Sequence, residues 1–100
     1  MYAMGFVESA LALDGLRKAY LRAKRAGRHE MMRTIEKTGR AIRILIADGA
    51  TASVALQLAT QARAKDLKAE QEKAIEEANT GLLELAKLAR GLTEEVATST

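Results

Sequence analysis

Between Gly49 and Gly81 the chain reads ATASVALQLATQARAKDLKAEQEKAIEEANT, residues 50–80. These 31 residues contain neither glycine nor proline. Most are Ala, Leu, Gln, Lys, Arg and Glu, which lose little side-chain freedom in a helix. Outward from this stretch the pattern persists: there is no proline in 100 residues, and the other glycines stand singly at 5, 15, 27, 39 and 91. The chain is therefore predicted to be all-α, an antiparallel helical bundle of three to four helices in one domain, residues 1–100. Its last segment is long, either one continuous helix or two.

A first helix is expected over about residues 6–26. Phe6, Ala10, Leu13, Leu16, Tyr20 and Ala23 recur every three or four residues, which places them on one helix face. Gly27 follows Lys24 and Arg25, a favourable helix end. The connection is very short, so the next helix must run antiparallel. That helix is expected over about 28–47, with Met31, Met32, Ile35, Thr38, Gly39, Ile42, Leu45 and Ile46 facing inward. Asp48-Gly49 reads as a turn, and Thr51 or Ser53 as the N-terminal cap of the next helix.

The third segment, about 52–97, is too long to be covered by two helices of roughly 30 Å each at 1.5 Å per residue. It either breaks, at Asn79-Thr80-Gly81 or across Lys65 to Ala69, or packs its free half on another chain. Its inward stripe is read as Leu67, Ala74, Ile75, Ala78, Leu82, Leu85, Leu88, Ala89, Leu92 and Val96, with a polar tail from Thr98 that frays. Gly15 and Gly39, both within helices, point to close approach of a neighbour or to a kink.

Only Tyr2, Phe6 and Tyr20 are aromatic, so the core must come from aliphatic residues and alanine on closely packed helices. There is no cysteine, hence no disulfide framework and no thiolate metal site. No uninterrupted apolar run approaches the roughly 20 residues of a membrane span, and no basic region opens the chain. The expectation is a cytoplasmic protein without a membrane segment.

Charge is segregated. Residues 17–43 carry ten Lys and Arg against Glu30 and Glu36, a net +8, while residues 66–84 carry six acids against Lys68 and Lys73, a net −4. Lys18, Arg22 and Arg25 share one helix face, and Arg33, Lys37 and Arg40 share another. Such rows can follow a phosphate backbone, although no aromatic interleaves them to stack a base. They can also face the acidic 66–84 segment or an acidic protein.

Catalytic chemistry has few candidates. His29 is the only imidazole, and it falls at a turn with no second histidine to complete a metal site. Glu70, Glu72, Glu76 and Glu77 lack the Glu-x-x-His repeat of metal-binding bundles and read as a solvated face. No phosphate-cradling loop and no Ser-His-Asp set is present. The chain is expected to be no enzyme and to take no cofactor. Apolar residues away from the inward stripes are the stronger lead. Leu11 lies opposite Tyr20 and Ile44 opposite Ile35; with Leu21, Leu56 and Leu83 they point to helices buried on more than one side, in a four-helix core, a groove for a partner helix or a homo-oligomer seam, and the adjacent Met31 and Met32 suit an adaptable groove. Leu11, Met31, Met32, Ile44 and Leu56 are thus the candidate partner-binding residues.

Three stretches carry a family resemblance. They are Leu13-Asp14-Gly15-Leu16 and then Ala23-Lys24-Arg25-Ala26; Gly27-Arg28-His29-Glu30-Met31-Met32 and then Lys37 and Ala41-Ile42; and Leu82-Leu83-Glu84-Leu85-Ala86. In this order they resemble the flagellin export chaperones, small antiparallel helical bundles. The tyrosine of that family's first motif is Leu13 here, and the aromatic that closes its last helix has no counterpart. The resemblance implies a cytoplasmic protein that binds an exported filament subunit along apolar helix grooves. The alternatives are a self-assembling bundle, natural or designed, forming a homodimeric coiled coil through a continuous 52–97 helix, and a basic nucleic-acid-binding module.

Overall fold

A computed structural model describes residues 3–99. Three helices succeed one another: α1 (Ala3–Arg25), α2 (His29–Gln61) and α3 (Lys65–Ser99). They pack side by side as a rod of 55 × 19 × 15 Å. Neighbours in sequence are antiparallel, so α1 and α3 run in the same direction, and α3 packs closely on both other helices.

The first turn forms where the sequence places it. Gly27 takes φ +69°, a left-handed conformation. Its N–H donates to the Lys24 carbonyl at 3.1 Å and that of Arg28 to the Ala23 carbonyl at 2.9 Å, which satisfies the last carbonyls of α1. The second turn repeats this arrangement with different residues. Arg63 donates to the Thr60 carbonyl at 3.2 Å and Ala64 to the Ala59 carbonyl at 2.9 Å. Here the left-handed position is filled by Arg63, φ 56°, where the Cβ of an L-residue crowds its own backbone. Replacing Arg63 with glycine removes that crowding. Arg63→Gly is expected to stabilise the protein by about 1 kcal/mol, read as a higher urea midpoint with an unchanged slope.

The second turn corrects the expected end of helix two. Asp48-Gly49 is no turn, and Thr51 and Ser53 cap nothing; α2 runs straight through them. The reason is Phe6: a Cβ on Gly49 would run into the Phe6 ring, so this glycine serves close helix approach. The 52–97 segment is therefore neither one helix nor broken at 79–81 or 65–69. Its first ten residues, 52–61, complete α2, and the chain reverses at 62–64. The tail expected from Thr98 stays helical through Ser99; Thr100 lies outside the described residues.

Gly39 behaves in the opposite way. A Cβ there would meet only ordinary contacts, 3.7 Å from an Arg43 nitrogen and 3.8 Å from Leu13, and at Gly15 only 3.5 Å from Thr93. Close approach does not explain either residue. Gly39→Ala is expected to stabilise α2 by about 1 kcal/mol, whereas Gly49→Ala should cost about 1–3 kcal/mol through overpacking. Thermal melts of the two variants should shift in opposite directions.

The core is small-residue packing around a few larger side chains. Ala12, Leu16, Ala19 and Ala23 of α1 meet Ile35 and Ile42 of α2 and Leu82, Ala86, Ala89 and Val96 of α3. The inward face of α1 is thus rotated from the expected one: Ala10 is exposed, while Ser9 is fully buried and donates its hydroxyl to the Phe6 carbonyl at 3.1 Å. This rotation reflects α1 lying tight against α3. The Gly5 N–H donates to Asn79 Oδ1 at 2.6 Å, and Arg90 pairs with Glu8 at 2.7 Å, both across that contact. Leu67 and Leu88, read as inward, are about half exposed.

Candidate partner-binding faces

Helix lengths decide which surfaces are left open. At 1.5 Å per residue α1 spans about 35 Å, α2 and α3 about 50 Å each. Gly5 meets Asn79 and Phe6 meets Gly49, so α1 begins alongside the middle of both partners. Beyond that level the rod is only the α2–α3 hairpin, and its buried apolar residues are Ala52, Ala59, Ile75 and Ala78.

The longest uncovered apolar face is on α2. Ile44, Val54 and Leu58 are more than half exposed, at 54%, 59% and 60%. With Ala47 and Thr51, also exposed, they form a row at spacings of three and four residues. An 18-residue window of α2 has a mean hydropathy of 1.4, and only 17% of it is buried. By length and composition this window could cross a membrane. A search for uninterrupted apolar residues misses it, because Arg43 and Asp48, with Gly49, Thr51 and Ser53, interrupt the run.

A second opening lies between α1 and α2, a cleft of about 450 Å³. Leu13, Leu16, Ile35 and Gly39 form its floor; Asp14, Arg17, Glu36 and Arg43 line it with charge; Leu21 stands at its edge, 46% exposed. At one side the Tyr20 phenol donates to the Glu36 carboxylate. That bond raises the phenol pKa above its usual value, with partial burial and the negative charge adding to it. Folding therefore holds this proton more tightly than the unfolded chain does. Its contribution is full below the unfolded pKa of about 10 and is lost as pH rises through the folded value. Tyr20→Phe should flatten the alkaline limb of a stability–pH curve.

The expected site residues are dispersed. Leu11, 67% exposed, stands on the outer face of α1 beside a groove between α1 and α3; Ile44 belongs to the α2 row. Met31 is buried in the core, Met32 is half-buried against it, and Leu56 is half-buried. Lys18, Arg22 and Arg25, and Arg33, Lys37 and Arg40, are all exposed near the α1–α2 turn. They form two separate outward rows on adjacent helices. Contact with the acidic segment does not occur for these rows: residues 66–77 belong to the far half of the rod, since Gly81 already sits against Leu45. Lys18 instead pairs with Asp14 at 3.5 Å along its own helix, a largely exposed contact worth a few tenths of a kcal/mol. His29 is exposed at the start of α2. Among the described residues no three His, Cys, Asp or Glu side chains are grouped to hold a metal ion.

Sequence periodicity could have found the α2 row, since all five positions repeat at helical spacing. The cleft has no such signal, because it depends on how α1 and α2 sit against each other. Comparison of the chain with protein-family models, with curated proteins and with solved structures gives no match, so the resemblance to flagellin export chaperones rests on its motif residues alone.

Proposed function

We propose that this chain is a non-catalytic protein-binding bundle that takes up an amphipathic segment of a partner in the cleft between α1 and α2. The observation that carries this reading is the cleft itself: an apolar floor of leucine and isoleucine with a charged lining, beside a glycine that leaves its floor low. Binding grooves for helical segments combine an apolar base with polar groups that fix orientation. The motif resemblance adds the class of client, the end of an exported filament subunit, and the cytoplasm as the place of binding.

Capture of partners from cells by the tagged chain, at low and high salt, tests this. The expected result is one secreted filament subunit retained at high salt and lost with Leu21→Glu, a substitution at the exposed cleft edge that leaves the core intact. Retention unchanged by Leu21→Glu would move the site away from the cleft. Recovery of nucleic acid only at low salt would instead transfer the function to the basic rows on α1 and α2.

A further inference from the structure

The apolar row on α2 is the second part of a longer line. Arg33, Lys37, Arg40, Ile44, Ala47, Thr51, Val54 and Leu58 follow one another at alternating spacings of four and three, and all eight are exposed. Gly49 faces Phe6 of α1, and the line runs about half a turn of helix away from it. Three cations come first and five uncharged residues follow, with no acid between them. Arg33, Lys37 and Arg40 make no ion pair among the described residues. From Gly49 to Ala62 there is no charged residue at all, although 29% of the chain is charged and nine of these fourteen residues are exposed.

The far half of the rod makes the same division in three dimensions. Phe6 meets Gly49, so beyond about the level of Ala52 only the α2–α3 hairpin remains. There α2 presents Val54 and Leu58, whereas residues 65–77 of α3 carry eight charged side chains. Helix α3 packs on Ala52 and Ala59, about a third of a turn from the line. One side of the hairpin is uncharged and the other charged, the arrangement of an element lying in the plane of a lipid interface. We propose that α2 lies along an anionic phospholipid bilayer, with Ile44, Val54 and Leu58 in the interface and Arg33, Lys37 and Arg40 on the lipid phosphates. This goes beyond the client reading and does not depend on it.

Charge over the whole molecule favours that orientation. Residues 3–61 hold ten Lys and Arg against five acids, and residues 65–99 hold five against eight. An anionic surface therefore attracts the α1–α2 side and repels α3. Cations and apolar residues on one line also suit a bilayer better than a protein. A protein would have to match the cations with acids and continue them in register with an apolar strip. A bilayer offers phosphates above hydrocarbon everywhere, and the long stems of Lys and Arg reach the phosphates from the same line. Nucleic acid would engage the cations and leave the five uncharged residues without a role.

Vesicles of phosphatidylcholine with about a quarter phosphatidylglycerol should sediment the unaltered chain at least about tenfold better than pure phosphatidylcholine vesicles, and salt should weaken the binding. Arg33→Glu, Lys37→Glu and Arg40→Glu together should lower it at least about tenfold, and Leu58→Glu at least about fivefold. Helicity in solution should be retained in both, since all four positions are exposed. The chain has no tryptophan, so Val54→Trp reports on the line. Its emission should move to the blue when the anionic vesicles are added, and that of Lys73→Trp on α3 should not. Equal binding to both kinds of vesicle overturns the proposal. So does binding that leaves Val54→Trp emission unmoved and is insensitive to Leu58→Glu, which would leave the cations to another anion such as nucleic acid. A blue shift of Val54→Trp with rising protein concentration alone also overturns it and gives the line a protein cover. Leu58→Glu should leave client capture unchanged, and Leu21→Glu should leave vesicle binding unchanged, so either reading can fail alone.

Discussion

Ile35→Asp is expected to abolish the cooperative fold. Ile35 is 3% exposed and sits in the core of α2 between the levels of Met31 and Ile42. An aspartate there puts a carboxylate among apolar neighbours, with Arg17 and Arg43 lining the outer part of the cleft above it. Burying it costs several kcal/mol whether it ionises or takes up a proton. A domain of this size has about 5–15 kcal/mol in total, and a core made largely of alanine places this one toward the low end. Far-UV circular dichroism should show the thermal transition lost or broadened. A melting temperature equal to that of the unaltered chain would mean that Ile35 does not face the core. Ile44→Asp provides the contrast on the same helix. At 54% exposure it should change stability by no more than about 0.5 kcal/mol.

The second large effect is expected at Leu82. It is fully buried, at a level where all three helices are present, and its neighbours one turn away on α3 are Ala78 and Ala86. Alanines cannot swing into a space left beside them. The cavity made by Leu82→Ala should therefore persist, with a cost of about 3–5 kcal/mol. Leu67→Ala removes the same atoms from the same helix, at a position 53% exposed, and should cost less than about 1 kcal/mol. Urea denaturation of both variants gives the comparison directly. Equal losses would mean that the hairpin half is packed as tightly as the three-helix half.

The parts of this fold that the sequence makes legible are those where one residue has one use. Gly27 after Lys24 and Arg25 marks a helix end, and the helix ends there. The stripe from Met31 to Ile46 repeats cleanly, and its members are buried or half-buried. Gly49 is ambiguous by nature: glycine both permits turns and admits close neighbours, and only the position of Phe6 decides between them. The reversal at 62–64 has no breaker residue at all. Arg63 adopts a left-handed conformation that its side chain disfavours, and the flanking alanines would suit a helix equally well. Without that reversal the length of α3 could not be read, nor the surface that α1 leaves uncovered. For the candidate site, helical spacing places the basic rows and Ile44 on outer faces. The burial of Met31 is not separable by spacing from an open groove, since methionine suits both.

That α1 begins only halfway along its partners also divides the molecule in time. The half with three helices holds Leu16, Ile42, Leu82 and Val96, whereas the far hairpin is closed chiefly by Ala52, Ala59 and Ile75. Segments with little buried apolar surface open without waiting for global unfolding. Amide protons of residues 52–61 and 65–75 should therefore exchange with solvent deuterium well before those of α1.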